Sequence, residues 1–127
     1  MSYKILIVDD SKLARMAVTK ALNSLYPDWI RFEAANAEDA LSVMEKSIPD
    51  IALVDFNMPG RDGLDVAAEL RRVNPQMPVG VISANHQQEI INRANALGAS
   101  FLPKPLTEQA LGKFLDDAVL QLGKVAQ

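Results

Sequence analysis

The chain contains no cysteine and a single histidine, His86. Without cysteine, a disulfide scaffold, a zinc ribbon and a thiol-dependent enzyme are excluded, and one histidine cannot build a multi-histidine metal site. No apolar run approaches the ~20 residues of a membrane-spanning helix. The residues around Ile5 lack the charged-then-apolar layout of a signal peptide. We therefore expect a soluble, cytoplasmic protein with no membrane partner.

The chain also has no large excess of positive or negative charge. The 13 Lys and Arg residues nearly balance the 16 Asp and Glu residues, which leaves a formal net charge of −3. This balance gives no reason to expect direct binding to nucleic acid. Hydrophobic residues make up 49% of the 127 residues, which is typical of a globular protein of one domain. We predict a single domain over residues 1–127.

Short apolar segments alternate with longer segments of helical periodicity. The apolar segments are residues 5–8, 51–54, 79–82 and 100–102, and residues 29–34 alternate as an outer strand does. Ser11, Asn36 and Thr107 are placed as helix N-caps, and Gly98 follows the predicted helix 87–97. Five strands alternating with five helices predict a doubly wound α/β domain with a parallel sheet covered on both faces.

Polar residues follow these strands where each strand ends. Asp9 and Asp10 follow the first, Asp55 the third and Ser83 the fourth, and Lys104 lies just past the fifth. In open α/β sheets, ligands bind at the carboxyl ends of the strands. If the first and third strands are neighbours, the three carboxylates converge, and two such charges ~4 Å apart repel by ~4 kcal/mol at an effective dielectric near 20. A hard cation such as Mg²⁺ would offset this repulsion.

The charges of these residues also suit phosphoryl chemistry. Three carboxylates and Lys104 sum to −2, which one divalent cation cancels. A phosphoryl group on Asp55 would offer oxygens to the metal, to Lys104 and to Ser83, and aspartyl phosphates are known intermediates. The alternative is that Asp9 and Asp10 cap a helix, that Asp55 and Lys104 are loop residues, and that Ser83 caps a helix or belongs to a turn.

Four segments together resemble the receiver domain of bacterial two-component response regulators, most closely its single-domain, chemotaxis-type members. The segments are residues 7–11, 54–63, 81–84 and 98–105. The resemblance implies a flavodoxin-like sheet with strand order 2-1-3-4-5. It also implies that Asp55 is the phosphoacceptor. Mg²⁺ would be held by Asp10 directly, by Asp9 through water, by Asp55 and by the backbone carbonyl of Asn57.

The resemblance further implies how the domain switches. Ser83 is the hydroxyl that contacts the phosphoryl group, Lys104 is its cationic partner, and the Lys104–Pro105 peptide is cis. Phe101 occupies the aromatic switch position. Because phenylalanine has no hydroxyl, switching would depend on packing alone. The alternative for Phe101 is an ordinary core aromatic residue.

The resemblance implies a signalling role in a phosphorelay. Asp55 would receive the phosphoryl group from a histidine kinase or a phosphotransfer domain, and the altered surface would bind a downstream effector protein. Catalysis would be limited to the domain's own phosphorylation and dephosphorylation. Because no DNA-binding unit follows residue 127, we expect no direct transcriptional output. A stand-alone regulator and a receiver excised from a longer protein both remain open.

Two other functions share some of these features. A small aspartate-nucleophile phosphatase of the haloacid dehalogenase type would also combine carboxylates, Ser, Lys and Mg²⁺. That family places its nucleophile after the first strand in an Asp-x-Asp pattern, from which Asp9-Asp10-Ser11 departs. A pseudo-receiver that acts only as a binding module is the other alternative, and the full Asp, Ser and Lys set argues against it.

Overall fold

The structure, a computed structural model, describes residues 2–125 as a five-stranded parallel sheet with strand order β2-β1-β3-β4-β5. The strands are β1 (Lys4–Val8), β2 (Ile30–Ala34), β3 (Ile51–Asp55), β4 (Val79–Ser83) and β5 (Ser100–Pro103). The helices are α1 (Lys12–Leu25), α2 (Ala37–Ser47), α3 (Gly63–Val73), α4 (Gln88–Ala96) and α5 (Glu108–Val125). The predicted doubly wound fold and its strand order are confirmed.

The central strands contain uninterrupted apolar segments because both of their faces are covered. Ile5 and Ile7 face one hydrophobic cluster, which is closed by α1 and α5. Leu6 and Val8 face a second cluster, which is closed by α2, α3 and α4. This alternation follows from the two-residue period of a strand, and burial of both faces requires uninterrupted apolar sequence. β2 lies at an edge of the sheet, as its alternating pattern predicts.

Polar side chains fix the starts of the helices. The side chains of Ser11, Asn36 and Thr107 accept hydrogen bonds from backbone amides at 3.2, 2.8 and 3.0 Å, as expected of N-caps. Gly98, after α4, has a φ of 75°, which favours glycine. Asp62, for which the sequence predicted no capping role, is the N-cap of α3. Within residues 2–125, no helix is long and apolar enough to cross a membrane.

An aromatic cluster ties α1 to α5 at the amino ends of the strands. The Tyr26 ring stacks on Trp29 with centroids 4.2 Å apart, and Trp29 meets Tyr3 edge-on at 5.5 Å. The Tyr26 hydroxyl donates a hydrogen bond to the Asp116 carboxylate on α5. This bond, with partial burial and the negative charge of Asp116, raises the pKa of Tyr26 to about 12.

Tyr26→Phe is expected to lower the free energy of unfolding by about 1 kcal/mol at pH 7, because it removes a partly exposed hydrogen bond to a charged group. The folded-state pKa of about 12 lies above the ordinary value of 10.0, so this contribution is complete below pH 10 and is lost as pH rises through 12. Urea denaturation of both proteins between pH 7 and 11 measures the difference. A difference that stayed constant up to pH 11 would contradict the assignment.

Ile48 ends α2 in a left-handed conformation, with a φ of 49°. A β-branched residue is strained there because its Cβ crowds the following carbonyl, and glycine or asparagine is the usual choice. The Ile48 side chain is 66% exposed, so little burial offsets the strain.

Ile48→Asn is therefore expected to raise the free energy of unfolding by about 0.5–1 kcal/mol, because asparagine tolerates this conformation better. Chemical denaturation at neutral pH measures the gain. Ile48→Val is the matched control, since it keeps the branched Cβ and should give no gain. Equal stability of the asparagine and valine variants would show that the backbone at Ile48 is not strained.

Candidate functional site

Three carboxylates converge at the carboxyl edge of the sheet. Asp9 and Asp10 follow β1, Asp55 ends β3, and one carboxylate oxygen from each lies within 4.8 Å of the others. The parallel pairing of β1 with β3, in which Val8 lies opposite Val54, brings these strand ends together. Asp9 and Asp55 are buried, whereas Asp10 is exposed. The structure therefore assembles the acidic cluster that the sequence predicts.

Asp55 forms an ion pair with Lys104. The Lys104 ammonium nitrogen lies 2.7 Å from Asp55 Oδ1, and the Asp55 side chain is 3% exposed. Oδ1 accepts no hydrogen bond of regular geometry from the described residues. The positive charge of Lys104 is therefore the main interaction that stabilises this buried oxygen. The backbone of Lys104 is held as well, because its N–H donates to the Ser83 carbonyl at 2.9 Å. The peptide bond between Lys104 and Pro105 is cis.

Asp9 is held by the start of α1. Its Oδ1 accepts a hydrogen bond from the Ser11 N–H at 2.9 Å. Burial raises the pKa of Asp9 above its ordinary value, and the negative charges of Asp55 and Asp10 add to this rise. The Ser11 N–H and the Lys104 charge oppose the rise without cancelling it. Keeping Asp9 in its charged form in this cluster therefore costs free energy.

The donor set fits a hard divalent cation. All three cluster side chains offer carboxylate oxygens, and three negative charges with one Lys104 charge leave −2. An oxygen-only set of this charge suits Mg²⁺. The three carboxylate oxygens that lie within 4.8 Å of one another would supply the ligand atoms for such a cation. Asn57, predicted to contribute its carbonyl, lies exposed in the β3–α3 loop two residues after Asp55.

Gly63 allows the β3–α3 loop to fold back onto Asp55. A Cβ at position 63 would lie 2.4 Å from the Asp55 backbone oxygen, so no other residue fits without movement of the backbone. The Gly63 N–H donates to the Phe56 carbonyl at 2.8 Å and closes the loop. The sequence-based predictions gave Gly63 no role in the site. The signal that could have identified it is a glycine directly after an N-cap aspartate.

The predicted switch residues lie on the two strands that follow β3 in the sheet, Ser83 at the end of β4 and Phe101 in β5, and one of them differs from expectation. Ser83 is fully buried, and its hydroxyl is bonded to its own loop: it accepts from the Asn85 N–H at 2.9 Å and donates to the Asn85 carbonyl at 3.3 Å. The hydroxyl expected to face an incoming anion therefore has a partner already. Phe101 is half-buried and meets the ring of His86 edge-on, with centroids 5.7 Å apart.

Comparisons with known proteins agree on one family. Residues 5–116 match the family model for the response regulator receiver domain. The sporulation initiation phosphotransferase F of Bacillus subtilis is 31% identical over 99 residues, covering 78% of each protein. The nitrate/nitrite response regulator protein NarL of Escherichia coli is 33% identical over 116 residues, covering 90% of this chain and 53% of NarL.

Solved structures show the same fold. The chemotaxis protein CheY4 of Vibrio cholerae matches with a TM-score of 0.82 at 26% identity, over 93% of this chain and 99% of that structure. The chain spans about half the length of several longer relatives, including NarL. The comparisons give no support to the phosphatase alternative. The chain therefore belongs to the response regulator receiver domain family and acts as the receiver of a phosphorelay.

Proposed function

We propose that Asp55 accepts a phosphoryl group from the phosphohistidine of a sensor kinase or phosphotransfer domain. The observation that carries this proposal is the buried Asp55 carboxylate, paired with Lys104 at 2.7 Å and flanked by Asp9 and Asp10. Its position at the end of β3 places the acceptor where a donor can approach from the carboxyl edge of the sheet. Receiver domains in general are signalling phosphoacceptors that exchange phosphoryl groups with such donors.

The transfer exchanges one bond for another. A carboxylate oxygen of Asp55 attacks phosphorus, the P–N bond of the donor breaks, and the ring-protonated donor leaves as neutral imidazole. Mg²⁺, when bound, supplies positive charge that neutralises the transferring group. The residues that would hold it are Asp9, Asp10 and Asp55, with the backbone carbonyl of Asn57. The domain's own residues thus promote both its phosphorylation and its later dephosphorylation by water.

Lys104 and Ser83 respond to the new charge. The Lys104 ammonium, now paired with Asp55, is close enough to be shared with a phosphoryl oxygen. The Ser83 hydroxyl would leave Asn85 and donate to the phosphoryl group. One charge-assisted hydrogen bond contributes roughly 1.5–3 kcal/mol. A shift from 1:99 to 99:1 in favour of the active conformation needs ~5.5 kcal/mol, so the Lys104 contact and Phe101 burial must contribute as well.

In this proposal the domain passes on its signal by binding another protein. The altered surface would include α4, β5 and α5, which carry or adjoin Phe101, and a downstream effector protein would bind there rather than nucleic acid. Because sensor kinases take their phosphoryl group from ATP, the exchange belongs to the cytoplasm. Residues 1–127 would act as one receiver unit, as the match over residues 5–116 supports.

Asp55→Asn is expected to abolish phosphorylation, because the amide oxygen is a poor nucleophile toward phosphorus. Radiolabelled acetyl phosphate with Mg²⁺ should label the native protein with at most one phosphoryl group per chain, and the label should decay. Removal of Mg²⁺ by EDTA should reduce labelling severely. Asp28→Asn is the matched control, since Asp28 is exposed at the opposite edge of the sheet. Labelling of the Asp55→Asn variant would refute the assignment.

Asp9→Asn is expected to raise the free energy of unfolding by about 1 kcal/mol at pH 7.5 without Mg²⁺, because it removes a buried like charge. The asparagine oxygen can still accept from the Ser11 N–H. Because the pKa of Asp9 is raised in the folded state, the gain should disappear as pH falls through that pKa toward 3.8.

The same variant should respond less to Mg²⁺. Chemical denaturation with 0 and excess Mg²⁺ measures the stabilisation of each protein, which for the native protein grows with metal concentration above the dissociation constant. A variant less stable than the native protein in metal-free buffer, or stabilised equally by Mg²⁺, would contradict the role assigned to Asp9.

A further inference from the structure

The β4–α4 loop forms one interlocked turn between Ser83 and α4. The Ser83 hydroxyl bonds to both the N–H and the carbonyl of Asn85, and the Asn85 side-chain oxygen accepts from the Gln87 N–H at 3.0 Å. His86 lies in the middle of this turn. Any movement that takes the Ser83 hydroxyl away from Asn85 frees the peptide groups that position His86.

The His86 ring links this turn to β5. It meets the Phe101 ring edge-on, at an interplanar angle of 87° and a centroid distance of 5.7 Å. His86 is otherwise exposed, and its imidazole forms no hydrogen bond to any residue of 2–125. Phe101 packs on its other side against the cluster under α2, α3 and α4. Because Phe101 has no hydroxyl, its orientation depends on such ring contacts.

We propose that His86 is a positioning residue that couples Ser83 to Phe101. While the Ser83–Asn85 turn is intact, the His86 ring holds Phe101 in its half-buried orientation. When a phosphoryl group on Asp55 draws the Ser83 hydroxyl away from Asn85, the turn opens and the His86 ring leaves Phe101 free to turn inward. This inference rests on the proposed function of Asp55 and Ser83 and adds a residue that connects them to the surface.

The His86–Phe101 contact is expected to oppose binding of a phosphoryl group at Asp55. The His86–Phe101 contact occurs together with the Ser83–Asn85 hydrogen bonds, which the Ser83 hydroxyl must give up to reach a phosphoryl group, so the contact must lower the affinity of the site for that group. Aromatic pairs of this geometry change an equilibrium constant by about 2- to 10-fold. Removing the His86 ring should therefore raise affinity for a phosphoryl mimic by about 2- to 10-fold.

The experiment measures the affinity for beryllofluoride in excess Mg²⁺ by NMR titration. His86→Ala should bind about 2- to 10-fold more tightly than the native protein, whereas His86→Phe, which keeps an aromatic edge against Phe101, should bind like the native protein. In a Phe101→Leu background, the additional His86→Ala substitution should have no effect. Without beryllofluoride, the Phe101 ring resonances should shift in His86→Ala and be nearly retained in His86→Phe.

The outcomes separate this inference from the proposed function. Failure of the native protein to bind beryllofluoride, or binding by Asp55→Asn equal to native, would refute the proposed function. If the native protein binds and Asp55→Asn does not, equal affinity of His86→Ala and native protein would overturn the coupling alone. Equal behaviour of His86→Phe and His86→Ala, or an undiminished His86→Ala effect without the Phe101 ring, would also overturn it.

Discussion

The parallel pairing of β1 with β3 imposes the main electrostatic constraint on this protein. It places the three carboxylates at or just past the ends of the two strands within 4.8 Å of one another, and two of the three are buried. The hydrophobic strands that build the core therefore also force like charges together at their carboxyl ends. Lys104 relieves part of this repulsion, and the remainder makes the site receptive to a metal cation and to changes in charge.

Much of the architecture follows from sequence because its causes are local or periodic. Uninterrupted apolar residues such as Ile5–Val8 predict a strand buried on both faces, and Ser11 or Asn36 predicts a helix start. The cluster of Asp9, Asp10, Asp55 and Lys104 follows because all four lie at or just past strand ends. Parallel strands bring those ends to one edge whatever the details of the loops.

Contacts between loops could not be predicted in this way. The Ser83 hydroxyl could bond to its own loop or face the acidic cluster, and only the conformation of residues 83–87 decides. The edge-on contact of His86 with Phe101 depends equally on that turn. The ion pair of Asp62 with Arg93, at 3.5 Å, joins residues 31 positions apart. Isoleucine disfavours the left-handed conformation that Ile48 adopts, so the residue type points away from the observed backbone.

The close approach of Gly63 to Asp55 distinguishes the loop after β3 from the loop after β4. At Gly63 the chain lies so close to the Asp55 backbone that there is no room for a methyl group between them. The β4–α4 loop is held at Ser83 by hydrogen bonds of 2.9 and 3.3 Å, which can be exchanged for others. In the proposed function, added charge at Asp55 would therefore be met on the side of β4 and β5, where the hydrogen bonds of Ser83 can be exchanged for bonds to a phosphoryl group.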